Sequence, residues 1–145
     1  MTGGVVELIT ARFLALVLHL VATCTVFYCK VPLIQIEVDP DRSDAERKGQ
    51  YEHIDAWVTA LLALALLCIA VELSGVLSGF TFHQKNANIV SALAHLLGFL
   101  STISMILNGW TVNVYPFVFT FCSLLPAGFD VSWWAFQAYT RKFKR

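Results

Sequence analysis

The chain has 145 residues, 57% of them hydrophobic, with a mean hydropathy of +0.67 and a formal net charge of zero. That apolar share exceeds what an ordinary soluble domain carries, and no basic tract with interleaved aromatics is present, so a soluble globular protein and a nucleic-acid binder are both excluded. The charges are segregated, with seven of the ten acidic and four of the ten basic side chains in residues 30–55.

Four long apolar runs stand out, at 13–29, 56–82, 89–107 and 115–139. A membrane-spanning helix needs ~20 mostly apolar residues to cross ~30 Å of hydrocarbon. Apart from Glu72 and Asp130, the runs contain no Asp, Glu, Lys or Arg. The fold class is therefore all-α: a single membrane domain over residues 1–145, built as an integral membrane four-helix bundle.

The first run follows Arg12 and continues to Lys30 without a small-x-small cleavage site, so it reads as a retained helix rather than a signal peptide. At ~25 Å it is the shortest span, which predicts that Arg12 and Lys30 snorkel to opposite interfaces. Residues 30–55 read as a polar, non-cytoplasmic loop. Within it Asp39-Pro40-Asp41 is a turn, and Ser43-Asp44-Ala45-Glu46 fits a capping box opening a short surface helix that stops at Gly49. The aspartates 39, 41 and 44 do not make a calcium loop, because Asp44 stands at the glycine position and Gln50 at the glutamate position.

Short connections between the second and third runs, and between the third and fourth, force antiparallel neighbours and an up-down-up-down order. Trp57, Tyr51, Trp110, Tyr115, Trp133, Trp134 and Tyr139 fall toward helix ends, as interfacial anchors do. With both termini cytoplasmic, the inner side carries six Lys or Arg, Arg12 and Lys85 among them, against four in the first loop. Residues 140–145 then form a basic cytoplasmic tail suited to an anionic leaflet. The four cysteines, Cys24, Cys29, Cys68 and Cys122, lie in or beside apolar runs and read as small hydrophobes.

Each run carries one ionisable side chain: His19, Glu72, His95 and Asp130. A carboxylate at the bilayer centre costs ~2.5–3.5 kcal/mol on insertion scales, so these groups are expected to face other helices or water. Small or polar residues share their faces: Cys68, Gly75 and Gly79 with Glu72; Ser91, Gly98 and Thr102 with His95; Thr23 with His19. Gly75-x-x-x-Gly79 permits a close helix contact, so helix or partner packing is assigned to His19, Glu72, Gly75, Gly79, His95 and Asp130. The spacings of di-iron, histidine-box and His-Glu-x-x-His sites are absent, and no metal, cofactor or catalytic residue is expected. Pro126 removes a backbone donor and releases the carbonyl of Cys122, which predicts a kink that Ser123 helps to satisfy.

Arg12-Phe13-Leu14 with Leu18-His19-Leu20-Val21 resembles the first span of the transmembrane protein 107 family. Ala70-Val71-Glu72-Leu73-Ser74-Gly75 with Leu77-Ser78-Gly79 resembles its second span, and Ser91-Ala92-Leu93-Ala94-His95 its third. Phe117-Val118-Phe119, Phe121-Cys122-Ser123, Pro126 and Ala127 resemble the fourth, with Asp130 where the family leads one to expect glutamate. Residues 37–53 resemble the family little. The resemblance implies a multi-pass protein of the ciliary transition zone membrane, without catalytic activity. It implies partners among other transition-zone membrane proteins and B9-domain proteins of the Meckel-syndrome module, besides membrane lipids. Its role would be cilium assembly and gating of ciliary membrane-protein composition. The alternative read from the residues is a small proton-coupled transporter or channel using His19, Glu72, His95 and Asp130; an intramembrane metalloenzyme ranks below it.

Overall fold

A computed structural model of the protein describes residues 3–79 and 84–143. All regular structure among them is helical: α1 (Gly3–Glu37), α2 (Asp44–Leu77), α3 (Lys85–Asn108), α4 (Tyr115–Phe119) and α5 (Leu125–Phe143), with a 3-10 turn at Val112–Val114 and a π-helical turn at Thr120–Leu124. Four stretches are long and apolar enough to cross a membrane, Gly4–Glu37, Asp44–Leu77, Lys85–Asn108 and Val112–Lys142. The last joins α4, the π turn and α5 into one span.

The helices outrun the expected boundaries at the first connection. α1 has 35 residues, about 52 Å at ~1.5 Å per residue, and does not stop at residue 29. It bends at Cys29 (φ −106°, ψ 17°) and carries Pro32 inside. Proline removes one backbone donor and crowds the carbonyl four residues back, which here belongs to Tyr28, so a kink lets the helix continue. The residue 30–55 segment is accordingly mostly helix. Its capping box is present but opens α2 itself, and Gly49 interrupts nothing. Glu46 Oε2 accepts hydrogen bonds from the Ser43 hydroxyl at 2.6 Å and the Ser43 backbone N–H at 3.1 Å. The carboxylate thereby satisfies a backbone donor that the start of a helix leaves without an intrahelical partner. At its other end α2 finishes at Leu77, short of 82, and Gly79 lies beyond it with φ 75°. Residues 80–83, 144 and 145 lie outside the described residues.

Pairings across the bundle set the topology. Lys30 meets Asp55 and Arg12 meets Glu72, so α1 and α2 run antiparallel. Arg12 meets Asn88 and His19 meets His95, both 76 positions apart, so α1 and α3 run parallel. This is the up-down-up-down order. One apolar cluster, including Val26, Ile34, Leu62, Met105, Tyr115 and Phe119, fills the end of the bundle holding the α1–α2 connection. A smaller one of Leu16, Ile69 and Val76 lies toward the other end. Tyr115 belongs to the first cluster at 1% exposure and is not an interfacial anchor. The outer surface is apolar as well, with Leu14, Leu18, Val21, Leu93, Leu97, Phe117, Phe121 and Phe129 all exposed, as suits a protein solvated by lipid.

Pro126 sits two residues past the π segment. There the N–H of Leu125 bonds the carbonyl of Thr120, five residues back. The wider turn absorbs the proline where a simple kink was expected. The Ser123 hydroxyl takes no hydrogen-bond partner among the described residues, so it does not assist.

α3 ends on Gly109, in the left-handed region at φ 60°, ψ 39°. An added Cβ there would be 3.5 Å from Ile36 Cδ1, an ordinary contact, so only the backbone objects to a side chain. Gly128, in α5, has nothing within 4 Å of an added Cβ. Gly109→Ala is expected to destabilise the purified protein by about 1–2 kcal/mol, and Gly128→Ala to stabilise it by about 0.5–1 kcal/mol. Thermal unfolding of both variants in detergent checks the opposite signs.

Candidate functional site: a buried polar network joining the four spans

The packing face of α3 is a stripe of small and polar residues, Asn88, Ser91, His95, Gly98, Thr102 and Met105, spaced at three or four and all buried. Such a stripe lets α1 approach closely. Gly98 shows how closely: an added Cβ would stand 2.6 Å from His19 Cε1, 2.8 Å from His19 Nε2 and 2.8 Å from Cys122 Cβ. The His19 ring therefore lies directly over the Gly98 backbone. Its Nδ1 is 3.0 Å from Nδ1 of His95, with the ring centroids 5.3 Å apart.

From His95 the contacts continue across the bundle. His95 Nε2 is 3.0 Å from both carboxylate oxygens of Glu72, on α2. A carboxylate there requires a proton on Nε2, so in a neutral His95 the Nδ1 accepts and Nδ1–H of His19 donates. Glu72 Oε2 also accepts from the Ser91 hydroxyl at 3.0 Å and from Arg12 Nη2 at 3.1 Å. The same Nη2 reaches Asp130 Oδ2, on α5, at 2.5 Å, and Nη1 donates to Asn88 Oδ1 at 2.6 Å. Arg12 is 1% exposed, Glu72 and His95 0%, and Asp130 3%.

The forked guanidinium thus touches all three other spans at once, which a point-charge ammonium could not do in this geometry. Two carboxylates face one permanent cation, and the His95 ring lies against Glu72 from α3. Pairing the acids with a guanidinium and further hydrogen-bond donors is how charge survives in hydrocarbon, although Arg12 Nε takes no partner among the described residues.

The structure brings His19, Glu72, His95 and Asp130 into this single network. Gly75 is buried on the same α2 face as Glu72, inside the bundle. Gly79 is not on that face, because the helix has ended before it. Arg12 is the principal correction: it does not snorkel to an interface but is the centre of the network. Asn88, which the sequence assigns to a connection, is instead a buried ligand of the guanidinium. The signal for Arg12 is present in the sequence, since two intramembrane acids require a cation and Arg12 lies two helical turns before His19 on the same face. Lys30 pairs with Asp55 at 2.6 Å and bonds the Thr59 hydroxyl, three to four turns into α2.

From Arg12 to His19 the titratable groups cover about 10 Å of the bundle. Beyond His19, α1 presents Val26, Leu33 and Ile34 to the apolar cluster around Leu62, Met105 and Tyr115. The hydrogen-bonded chain of titratable groups ends before that cluster. Among the described residues, no group of three or more His, Cys, Asp or Glu side chains has the arrangement of a metal site.

A family model described as TMEM107, transmembrane protein, matches residues 8–133, a stretch that runs from before Arg12 to beyond Asp130. Transmembrane protein 107 of Mus musculus is 34% identical over 125 residues, covering 86% of each chain, and that of Homo sapiens is 33% identical over 125 residues with the same coverage. Transmembrane protein 107 of Xenopus laevis is 29% identical over 129 residues, again covering 86% of each chain. No solved structure matches. This multi-pass membrane protein belongs to the transmembrane protein 107 family.

Proposed function

We propose that the protein is a non-enzymatic component of the ciliary transition zone, where it supports cilium assembly and the gating of ciliary membrane proteins. Its partners in this reading are other transition-zone membrane proteins and B9-domain proteins of the Meckel-syndrome module, and both its termini are cytoplasmic. Family membership supports the reading. The structural observation that carries it is the Arg12 fork, which ties the four spans into one unit. A carrier must let one part of its bundle rock against another around its binding site. Here the ionisable groups are spent on holding the parts together, and an apolar plug lies beyond them. A tied bundle with an apolar outer surface suits lateral assembly with other membrane proteins.

Because Glu72 and Gly75 face inward, partner contacts fall on the outer surface rather than on the α2 small-residue face. A tagged copy in a ciliated cell, imaged against basal-body and axoneme markers, is expected to give a ring or paired spots at the ciliary base. A diffuse reticular or plasma-membrane signal, together with normal cilia after deletion of the gene, would defeat the reading.

A further inference from the structure

A crevice of about 210 Å³ opens on the lipid-facing surface between the first turns of α3 and the turn of α5 that holds Pro126 and Asp130. It stands toward the membrane edge that carries the N-terminus, where Asn88 of α3 bonds Arg12. Among the described residues its walls are Ala87, Val90, Pro126 and Phe129, with Val90 and Phe129 exposed. Exposed Leu97, two turns on from Val90, and exposed Leu125, one turn before Phe129, extend both walls toward the bilayer centre. Ser91 and Asp130, 4% and 3% exposed, form the floor, and exposed Asn86 lies at the mouth.

What the buried network offers to this crevice is acceptor capacity. Asp130 gives Oδ2 to Arg12, while its Oδ1 takes no donor among the described residues. The Ser91 proton is committed to Glu72 Oε2 at 3.0 Å, which leaves lone pairs on the Ser91 oxygen. Charge points the same way. Arg12 is shared between Glu72 and Asp130, His95 bonds Glu72 and not Asp130, and no Lys or Arg among the described residues lines the crevice. A ligand that brings both N–H donors and a positive charge answers these requirements, and the apolar walls call for one that arrives dissolved in lipid.

We infer that the crevice binds a long-chain primary amine of the sphingoid-base class. Its ammonium donates to Asp130 Oδ1 and to the Ser91 oxygen, and its hydrocarbon chain leaves between Val90 and Phe129 along Leu97 and Leu125. A sterol would bring one hydroxyl donor and no charge, and a diacyl phospholipid would bring a phosphate to a crevice lined by no cation. The volume is below the ~300–1,000 Å³ of a site that encloses a whole small ligand. That suits a head group held inside while its chain stays in the lipid. The proposal goes beyond the ciliary reading and does not rest on it.

The full chain, purified in non-ionic detergent, would be titrated with sphingosine, N-acetylsphingosine, cholesterol and phosphatidylethanolamine, and bound lipid counted by native mass spectrometry. N-acetylsphingosine keeps the long chain and the hydroxyls but lacks the charge. One sphingosine per chain is expected, retained about tenfold better than N-acetylsphingosine, the scale of one charge-assisted contact. Asp130→Asn should abolish most of that preference. Val90→Trp fills the mouth from an exposed position outside the network and should lower sphingosine retention about tenfold. Leu93→Trp, on the exposed face of α3 but not lining the crevice, should leave it unchanged. Circular dichroism establishes that each variant is folded, and Val90→Trp supplies an independent arm should Asp130→Asn fail to fold. Equal retention of sphingosine and N-acetylsphingosine, an equal loss from Leu93→Trp, or cholesterol or phosphatidylethanolamine retained as well as sphingosine would each overturn the proposal.

Discussion

Replacing Arg12 with leucine is expected to destabilise the bundle by about 3–5 kcal/mol, the scale found when one partner of a buried ion pair is removed. The loss comes mostly from what is left behind. Glu72 and Asp130 would lie in hydrocarbon with His95, among the described residues, as the ionisable neighbour able to offset them, and the Asn88 side-chain oxygen would lose the guanidinium donor. Neutralising the acids as well should therefore recover much of the stability. Arg12→Leu combined with Glu72→Gln and Asp130→Asn should be more stable than Arg12→Leu alone. Arg12→Lys keeps the charge but not the fork, and should fall between wild type and Arg12→Leu. Denaturation of the four proteins in mixed micelles, followed by circular dichroism, gives the order directly. If Arg12→Leu were as stable as wild type, the buried placement of Arg12 would be wrong.

The second large effect is expected at Gly98. Even alanine there would put a Cβ at 2.6 Å from the His19 ring and 2.8 Å from Cys122 Cβ, and the latter is held by backbone. Overpacking of this kind costs about 1–3 kcal/mol, and Gly98→Val should reach the upper end or exceed it. The displacement acts on the ring that meets His95, so the variant should also lose the His19–His95 contact. Removing the ring with His19→Ala should relieve part of the Gly98→Ala cost, while the clash with Cys122 persists. Unfolding measurements on Gly98→Ala, His19→Ala and the double variant test this; strict additivity would show that the ring does not lie over Gly98.

The four spans are legible in the sequence because a run of ~20 apolar residues has one stable solution in a bilayer. The network is half legible. His19, Glu72, His95 and Asp130 stand out as one ionisable group per apolar run, and their cost in lipid dictates that they meet something. Arg12 escapes because an arginine just before an apolar run usually snorkels, and the sequence does not reveal that α1 begins well before it. Asn88 escapes for the same reason, since α3 starts at Lys85 rather than 89. The first apolar run ends at residue 29 and Gly49 reads locally as a helix end, yet α1 continues through Pro32 and α2 through Gly49 as the two pack together. Conversely, Gly79 matches a small-residue motif that is meaningful only inside a helix, and α2 stops before it. Gly98 falls on the correct face, but how near the His19 ring comes depends on the approach of two parallel helices far apart in sequence.

A single guanidinium couples the first span to the fourth, and a double-mutant cycle between Arg12 and Asp130 tests that coupling most directly. The cycle uses Arg12→Gln, Asp130→Asn and the pair, unfolded in mixed micelles. The expected coupling is about 1–3 kcal/mol, with the double variant losing clearly less than the sum of the singles. Additive losses would mean that Arg12 and Asp130 do not meet in the bilayer, and would contradict a bundle tied together through Arg12.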